Sequence, residues 1–484
     1  MMTVNKHFYQ DWDLVFFLKS GVFILATSGS LIWFLLGIKI IAFVFFIPAI
    51  IILTLYSFSR PYILLFALLL FLLITSVFSN YVQGIFGLLT KELLLFLIIL
   101  GWFSNSLISG KLFINKRCVK SRDIILLIFV MYLIAEMFRQ PGNVGFFGLR
   151  SIALYSPLSL LIPCIITNTN RLEKLIKVFM VGALFVSLVS IIQQIFVDSF
   201  MTMLGYKAGD VSFRTTAGIL KASSTVGSAG EAGSLLTIFF FFFLIVWAND
   251  EKYFNTKIGI IKIMVLLILG LGIICTFSRI VWLGAIICFF IFIFYYRNRA
   301  KAFLIIALPI LIIVNLYFHN FLAEQFISSF GYGDNTQSVA SAIARIEIIQ
   351  NTLKLFIYDQ PILGYGLGIT GAPSLKNAAL LRHGYQVMDN YYLKLTVETG
   401  LIGLILFCTF LFLSIKESFY LFKCSRDRKI AAVSLSIGMG LIVYAVISSA
   451  SSLLESPVMN IYFWTLIGLL TVCENIKHNS SILN

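Results

Sequence analysis

Long apolar stretches separated by short polar connections make up most of this chain. A helix that crosses a bilayer needs roughly 20 mostly apolar residues. Fourteen stretches meet that requirement: about 15–36, 39–57, 61–79, 88–108, 123–139, 150–168, 174–198, 230–248, 257–276, 279–296, 301–320, 396–415, 429–450 and 458–475. The first two run together through Ile38 and Lys39, and the sixth contains Pro157 and Pro163. Neighbouring helices satisfy the backbone groups such prolines free. The pattern predicts an all-α fold, a polytopic membrane helix bundle of about fourteen spans, with twelve or thirteen the alternative. Residues 1–484 then form a single integral membrane domain.

The polar connections give an orientation. Lysine and arginine collect in Lys111–Arg122, Arg171–Lys177, Arg297–Lys301 and Lys416–Lys429, with Arg60. With fourteen alternating spans these fall on one face, and the basic-poor connections 80–87, 138–150, 198–229, 320–391 and 449–456 fall opposite. Basic loops stay cytoplasmic, so both termini are expected in the cytoplasm and 320–391 becomes one large extracytoplasmic loop. Connections that long are usually functional or disordered. Here Ile343, Ile346, Leu353 and Phe356 form one stripe within 341–357, which predicts a short amphipathic helix at the membrane surface.

Composition agrees and narrows the function. Sixty per cent of the residues are hydrophobic, 12% are charged and the mean hydropathy is +0.99. Soluble chains are roughly half apolar and a quarter charged, so a soluble enzyme, a disordered protein and a nucleic-acid-binding domain are excluded. The net charge of +15 reads as cytoplasmic loops beside anionic lipid, not as a nucleic-acid surface. Seven cysteines without a CxxC pair or nearby histidine give no disulfide framework or metal site. The first thirteen residues carry acids and no small-residue cleavage site, and read as a retained tail.

Ionisable residues at the membrane edge are costly and attract functional readings. Arg279, in TFSRIVWLGA, occupies a hairpin between two apolar helices on the outer face. It is either an anion-binding group or an arginine reaching to lipid headgroups. Arg345 opens the amphipathic stretch of the large loop, as a site residue or part of a solvated face. Pro361, Gly364, Gly366 and Gly368 follow it as a turn, read from sequence as a flexible re-entry loop. Asp389 and Asn390 precede a helix that starts near Tyr391. A carboxylate there either caps the helix or acts as a base held by its free amides. Glu398, deeper in that helix, calls for a structural hydrogen-bond partner. His383 is the other titratable base of the loop. Arg150 heads the sixth span. Arg214 sits in a Ser/Thr/Gly-rich connection, 214–229, read as a polar substrate entrance or a flexible connector.

TFSRIVWLGA, the R-x-E…P-I-L-G-Y-G-L-G stretch and DNYYLKLTVETGLIG, in that order across one outer loop, resemble the O-antigen ligase/polymerase (Wzy/WaaL-like) superfamily. The motif-bearing part covers about 210–415. The resemblance implies an inner-membrane glycosyltransferase acting at the outer face on undecaprenyl-diphosphate-linked oligosaccharides, using neither metal nor other cofactor. Membrane lipid, a chain-length regulator and a flippase are its implied partners, and nucleic acid is not. It implies functional roles for Arg279 and Arg345. The ligase pattern has a histidine before the asparagine of the last motif, where this chain has Asp389. That departure favours a repeat-unit polymerase. Asp389, Arg279 and Arg345 are then the expected catalytic residues, and Arg214, Arg150, Asn390 and His383 the expected substrate-binding ones. A ligase acting on lipid A core is the alternative of the same class. A transporter of a polar or anionic solute is the alternative of another.

Overall fold

The computed structural model describes residues 60–77, 85–108, 120–140, 143–196, 215–216, 219–249, 257–297, 347, 349–350, 354, 360–370 and 390–482. The chain divides into two compact units, Met1–Leu68 with Lys91–Phe113 and Leu69–Thr90 with Ile114–Asn484. Helices α1 (Pro61–Leu72) and α2 (Ile85–Ile108) fall mainly in the first. The second carries α3 (Ser121–Met137), α4 (Val144–Ala153), α5 (Leu158–Ile165), α6 (Thr169–Ile195), α7 (Ala229–Ala248), α8 (Lys257–Cys275), α9 (Arg279–Tyr295), α10 (Tyr391–Cys424), α11 (Arg428–Ser448) and α12 (Pro457–Ile482). A two-residue hairpin, β1 (Thr215–Thr216) against β2 (Ile219–Leu220), is the exception to an all-helical description.

These helices lie on the apolar stretches expected from 61–79 to 279–296 and from 396–415 to 458–475. The expected spans 15–36, 39–57 and 301–320 lie outside the described residues, as do most of the large loop and of its amphipathic stretch. Among the described residues, six helical runs are long and apolar enough to cross a membrane: Val144–Ile165, Thr169–Ile195, Ala229–Ala248, Tyr391–Cys424, Arg428–Ser448 and Pro457–His478. One boundary is corrected. The run expected to begin at Arg150 begins at Val144, and Arg150 sits in the last turn of α4. Its break falls at the turn 154–157, where Pro157 caps α5.

Lipid tails are as apolar as leucine, so burial alone does not drive these helices together; close packing does. Small residues on α11 allow it. A Cβ on Gly438 would meet Ser418 of α10, and one on Gly440 would meet Leu466 of α12 and Ile238 of α7. Around this centre Phe179, Phe239, Phe242 and Tyr462 form ring contacts at 5.2–6.0 Å. The outer helices turn Leu127, Ile195 and Phe412 outward instead, as lipid-facing surfaces require. Some buried hydroxyls are satisfied locally: Ser190, Ser414 and Thr465 each donate to the carbonyl four residues back.

One end of the second unit is tied by charge. Arg122, at the start of α3, is buried and pairs with Glu417 of α10 at 2.7 Å and Glu474 of α12 at 3.4 Å. It also donates to Thr471 at 3.1 Å. Lys120 pairs with both glutamates, and Lys429 meets Glu173 at 2.7 Å. These segments, 120–122, 173, 417–429 and 474, are the basic connections and their flanks expected to share a face.

The Ser/Thr-rich connection is neither an open entrance nor a flexible connector over its described part. Ser223, Ser224 and Thr225 are buried. Ser224 exchanges two hydrogen bonds with the buried Gln193 amide, at 2.7 and 3.1 Å, and its hydroxyl donates to Val186 O at 2.8 Å. The Ser224 and Thr225 hydroxyls are taken by the carbonyls of Val186 and Leu73, so this part of the segment is packed in place. The sequence pattern misleads because Ser and Thr suit both solvent and the backbone of a lipid-embedded helix.

Candidate functional site

The turn that carries Arg279 is rigid. Cys275 O at the end of α8 accepts the Ala222 N–H at 3.1 Å. Thr276 is fully buried and presses on Gly233, where an added Cβ would lie 2.8 Å from its Oγ1. Phe277 adopts a left-handed backbone, φ 44°, although buried, a strained state for an aromatic residue. Its ring meets Trp282 edge-on at 6.2 Å. Ser278 is extended and caps α9, so Arg279 is the first helical residue and half-buried. A guanidinium at the N-terminus of a helix makes an environment suited to an anion.

The helix following Asp389 is discontinuous. Asn390 is its cap, and its side-chain oxygen accepts the Leu393 N–H at 3.0 Å. The capping role foreseen for a carboxylate therefore belongs to Asn390. Within α10, Gly400 is non-helical at φ 67°, ψ −170°. Such a break must find partners for the groups it frees, and five of them are met from outside the helix. Val397 O and Glu398 O accept the N–H of Tyr365 (2.8 Å) and Gly366 (2.9 Å), while Leu401 N and Ile402 N donate to Pro361 O (3.0 Å) and Ile362 O (3.4 Å). Thr399 O accepts the Tyr132 hydroxyl at 2.7 Å.

The glycine turn expected to be a flexible re-entry loop is thus a fixed insert. Gly364, Gly366 and Gly368 all have positive φ. A Cβ on Gly148 of α4 would sit 2.4 Å from Gly368 N, which leaves room for the two backbones only. Ile369 of the turn packs with Leu393 and Val397 of α10, with Ile349 and Tyr365 alongside.

Below the cap lies a buried charge cluster that the sequence reading missed apart from Glu398. Lys394 is 1% exposed and pairs with Glu455 of the turn Leu453–Glu455. Its Nζ lies 3.8 Å from Glu398, which is itself fully buried. Glu398 Oε1 accepts the Thr370 N–H at 3.2 Å and hydroxyl at 2.6 Å, the structural hydrogen bond its position called for. Next to Glu455, Ser456 donates to Glu231 of α7 at 2.7 Å. The available signal was the spacing: a lysine four residues before a glutamate within an apolar helix is a pair that only mutual neutralisation allows.

The end of α11 brings two of these features to one place. Gly284, in the second turn of the helix that Arg279 opens, faces Ile447 and Val446. On α10, Tyr392 donates its hydroxyl to Ala445 O at 2.9 Å. Arg279 and the Asn390 cap therefore flank the same helix end. Arg150 is half-buried between Gly148, which backs onto the glycine turn, and Ser151, whose carbonyl accepts the Asn460 amide at 2.7 Å. Arg345, Asp389, His383 and Arg214 lie outside the described residues. Among the described residues no three His, Cys, Asp or Glu gather as a metal site would require.

A family model described as O-antigen ligase matches residues 263–408. A protein of Salmonella muenchen named O-antigen polymerase is 24% identical over 363 residues, covering 70% of this chain and 85% of that one. The family match spans the Arg279 turn, the glycine turn and α10 as far as Cys408.

Proposed function

From similarities that support the O-antigen ligase/polymerase (Wzy/WaaL-like) superfamily, we propose that this protein is a membrane glycosyltransferase that polymerises undecaprenyl-diphosphate-linked repeat units of O-antigen, capsule or exopolysaccharide. In this reading a growing chain is donated from its lipid diphosphate to a hydroxyl of an incoming lipid-linked unit. The acceptor oxygen forms a bond to the anomeric carbon as the bond from that carbon to the diphosphate oxygen breaks. Configuration inverts. Asp389 takes the acceptor proton. Arg279 and Arg345 hold the diphosphate as negative charge develops on it, because a planar guanidinium matches phosphate oxygens in pairs. Neither metal nor nucleotide sugar takes part. The reaction belongs to the outer face of the inner membrane, with both termini cytoplasmic, and a chain-length regulator and flippase act beside it.

What carries the reading is the flanking of one helix end by Arg279 and by the capped helix that follows Asp389, inside the segment matched by the family. Ligation to lipid A core is the second reading, favoured by the description of that family. The presence of Asp389 in place of the ligase histidine, and the name of the Salmonella relative, support polymerisation.

The experiment is polymer formation by the purified protein from lipid-linked repeat units. Arg279→Lys and Arg345→Lys keep the charge and lose the fork, and each is expected to slow polymerisation on the order of 10²–10³-fold. A well-folded Arg279→Lys protein polymerising at near the native rate overturns the diphosphate clamp. In cells, loss of the gene should leave single repeats on lipid A; accumulation of free lipid-linked polymer indicates ligation.

A further inference from the structure

We propose that Arg139 is a positioning residue for the reaction, acting through the glycine turn on the outer half of α10. The inference rests on the polymerase reading for its kinetic consequence and on geometry for its first step. Arg139 lies just past the end of α3, its side chain 33% exposed. Its Nη1 donates to Leu363 O at 2.9 Å and its Nη2 to Gly364 O at 3.0 Å and Gln360 Oε1 at 3.2 Å. Glu136 orients it by an ion pair at 2.6 Å. The neighbouring Gln140 amide donates to Tyr365 O. Four connections thus run from the tip of α3 to 360–365.

The turn passes this constraint on. Tyr365 and Gly366 hold Val397 O and Glu398 O, and Thr370 holds the Glu398 carboxylate. The break at Gly400 uncouples residues 391–399 from the rest of α10. With its backbone ladder to the long helix broken, that short outer helix takes its main-chain anchoring from the turn, alongside the ring contacts of Tyr391 and Tyr392 with Phe407. It bears the Asn390 cap, the residue after Asp389, and Tyr392, which reaches α11 beside the Arg279 helix. A guanidinium is required at the origin because three carbonyl-type acceptors and one carboxylate must be met from a single side chain. Lysine, a point donor, cannot match that fork.

Displacing a reacting group by about 1 Å costs on the order of 100-fold in rate, whereas a purely structural contact changes the amount of folded protein. Hydrogen exchange of detergent-purified protein and steady-state polymerisation separate the two. Arg139→Ala is expected to speed exchange in 360–370 and 391–399 by roughly tenfold or more, leave 428–448 unchanged, and lower kcat about 100-fold with KM within about threefold. Arg139→Lys should fall between, and Gln140→Ala, which removes one bond, should give a smaller change of the same kind. Faster exchange with native kcat, or unchanged exchange in 391–399, overturns the proposal. If the native protein does not polymerise at all, the polymerase reading fails, while the exchange measurement still decides whether Arg139 holds the outer helix.

Discussion

Replacing Gly400 by alanine tests whether the discontinuity in α10 is imposed by the sequence. At φ 67°, ψ −170° the backbone occupies a region almost exclusive to glycine, and any other residue there is strained by about 1–3 kcal/mol. An added Cβ would lie 2.0 Å from Ile362 O and 2.7 Å from Gly364 N, both main-chain atoms without freedom to swing away. The turn must withdraw or the helix must straighten. Straightening restores the i to i−4 bonds of α10, so the backbone bonds nearly balance. It also detaches Tyr365 and Ile369 from Leu393 and Val397, and leaves the fully buried Glu398 without its Thr370 donors. Strain and lost packing together amount to about 3–5 kcal/mol. Thermal unfolding in detergent measures it, with Gly230→Ala as control, since nothing lies within 4 Å of a Cβ at that helical position. The control should be neutral or more stable by up to about 1 kcal/mol. Equal stability of the two variants would falsify the account of the break.

Three further outcomes are expected. Asp389→Asn should lose about 10²–10⁴-fold in polymerisation rate while His383→Ala keeps a substantial share; since the helix cap is Asn390, the loss should come without a fall in melting temperature, and a loss below about tenfold removes Asp389 as the base and makes His383 the next candidate. Arg122→Met should destabilise by about 3–5 kcal/mol in detergent melts, because the buried Glu474 and the partly buried Glu417 lose their main partner; a neutral result would mean that Lys120 alone neutralises both. Single cysteines at exposed Leu363 and Arg426 should react with an impermeant reagent from the outside and the cytoplasmic side respectively, and reaction of both from one side removes the alternating topology.

The legible part of this molecule was the part written in apolar length. Segments such as 230–248 and 429–450 coincide with α7 and α11 to within a residue or two, because a bilayer imposes one element and one length. Residues whose role depends on partners distant in sequence were not legible. Arg139 and Lys394 read as ordinary charges until the fold places Gly364 and Glu455 against them. The run SSTVGS looked like solvent-facing chain because hydroxyls carry no mark of whether water or a carbonyl will accept them. Glu398 was readable since a carboxylate within a span must be answered from somewhere, yet Thr370 as the answer was not. Arg279 stood out by its sidedness, and its rigidity came from Phe277 and Gly233, which no spacing rule singles out.

The ion network that joins α3, α10 and α12 also dates the completion of the fold. Arg122 is made early in synthesis, but Glu474, its buried glutamate partner, is 352 residues further along. At ribosomal speed the wait is on the order of tens of seconds, far longer than helix packing takes. Through that interval α3 must rest with its guanidinium at headgroup level, reaching phosphate and water. Its carboxylate partners arrive in two steps, Glu417 with α10 and Glu474 with the last helix. Closure of this end is therefore completed late, and a chain that stops before α12 leaves Arg122 with Asp123 and Glu417 but without Thr471 and Glu474.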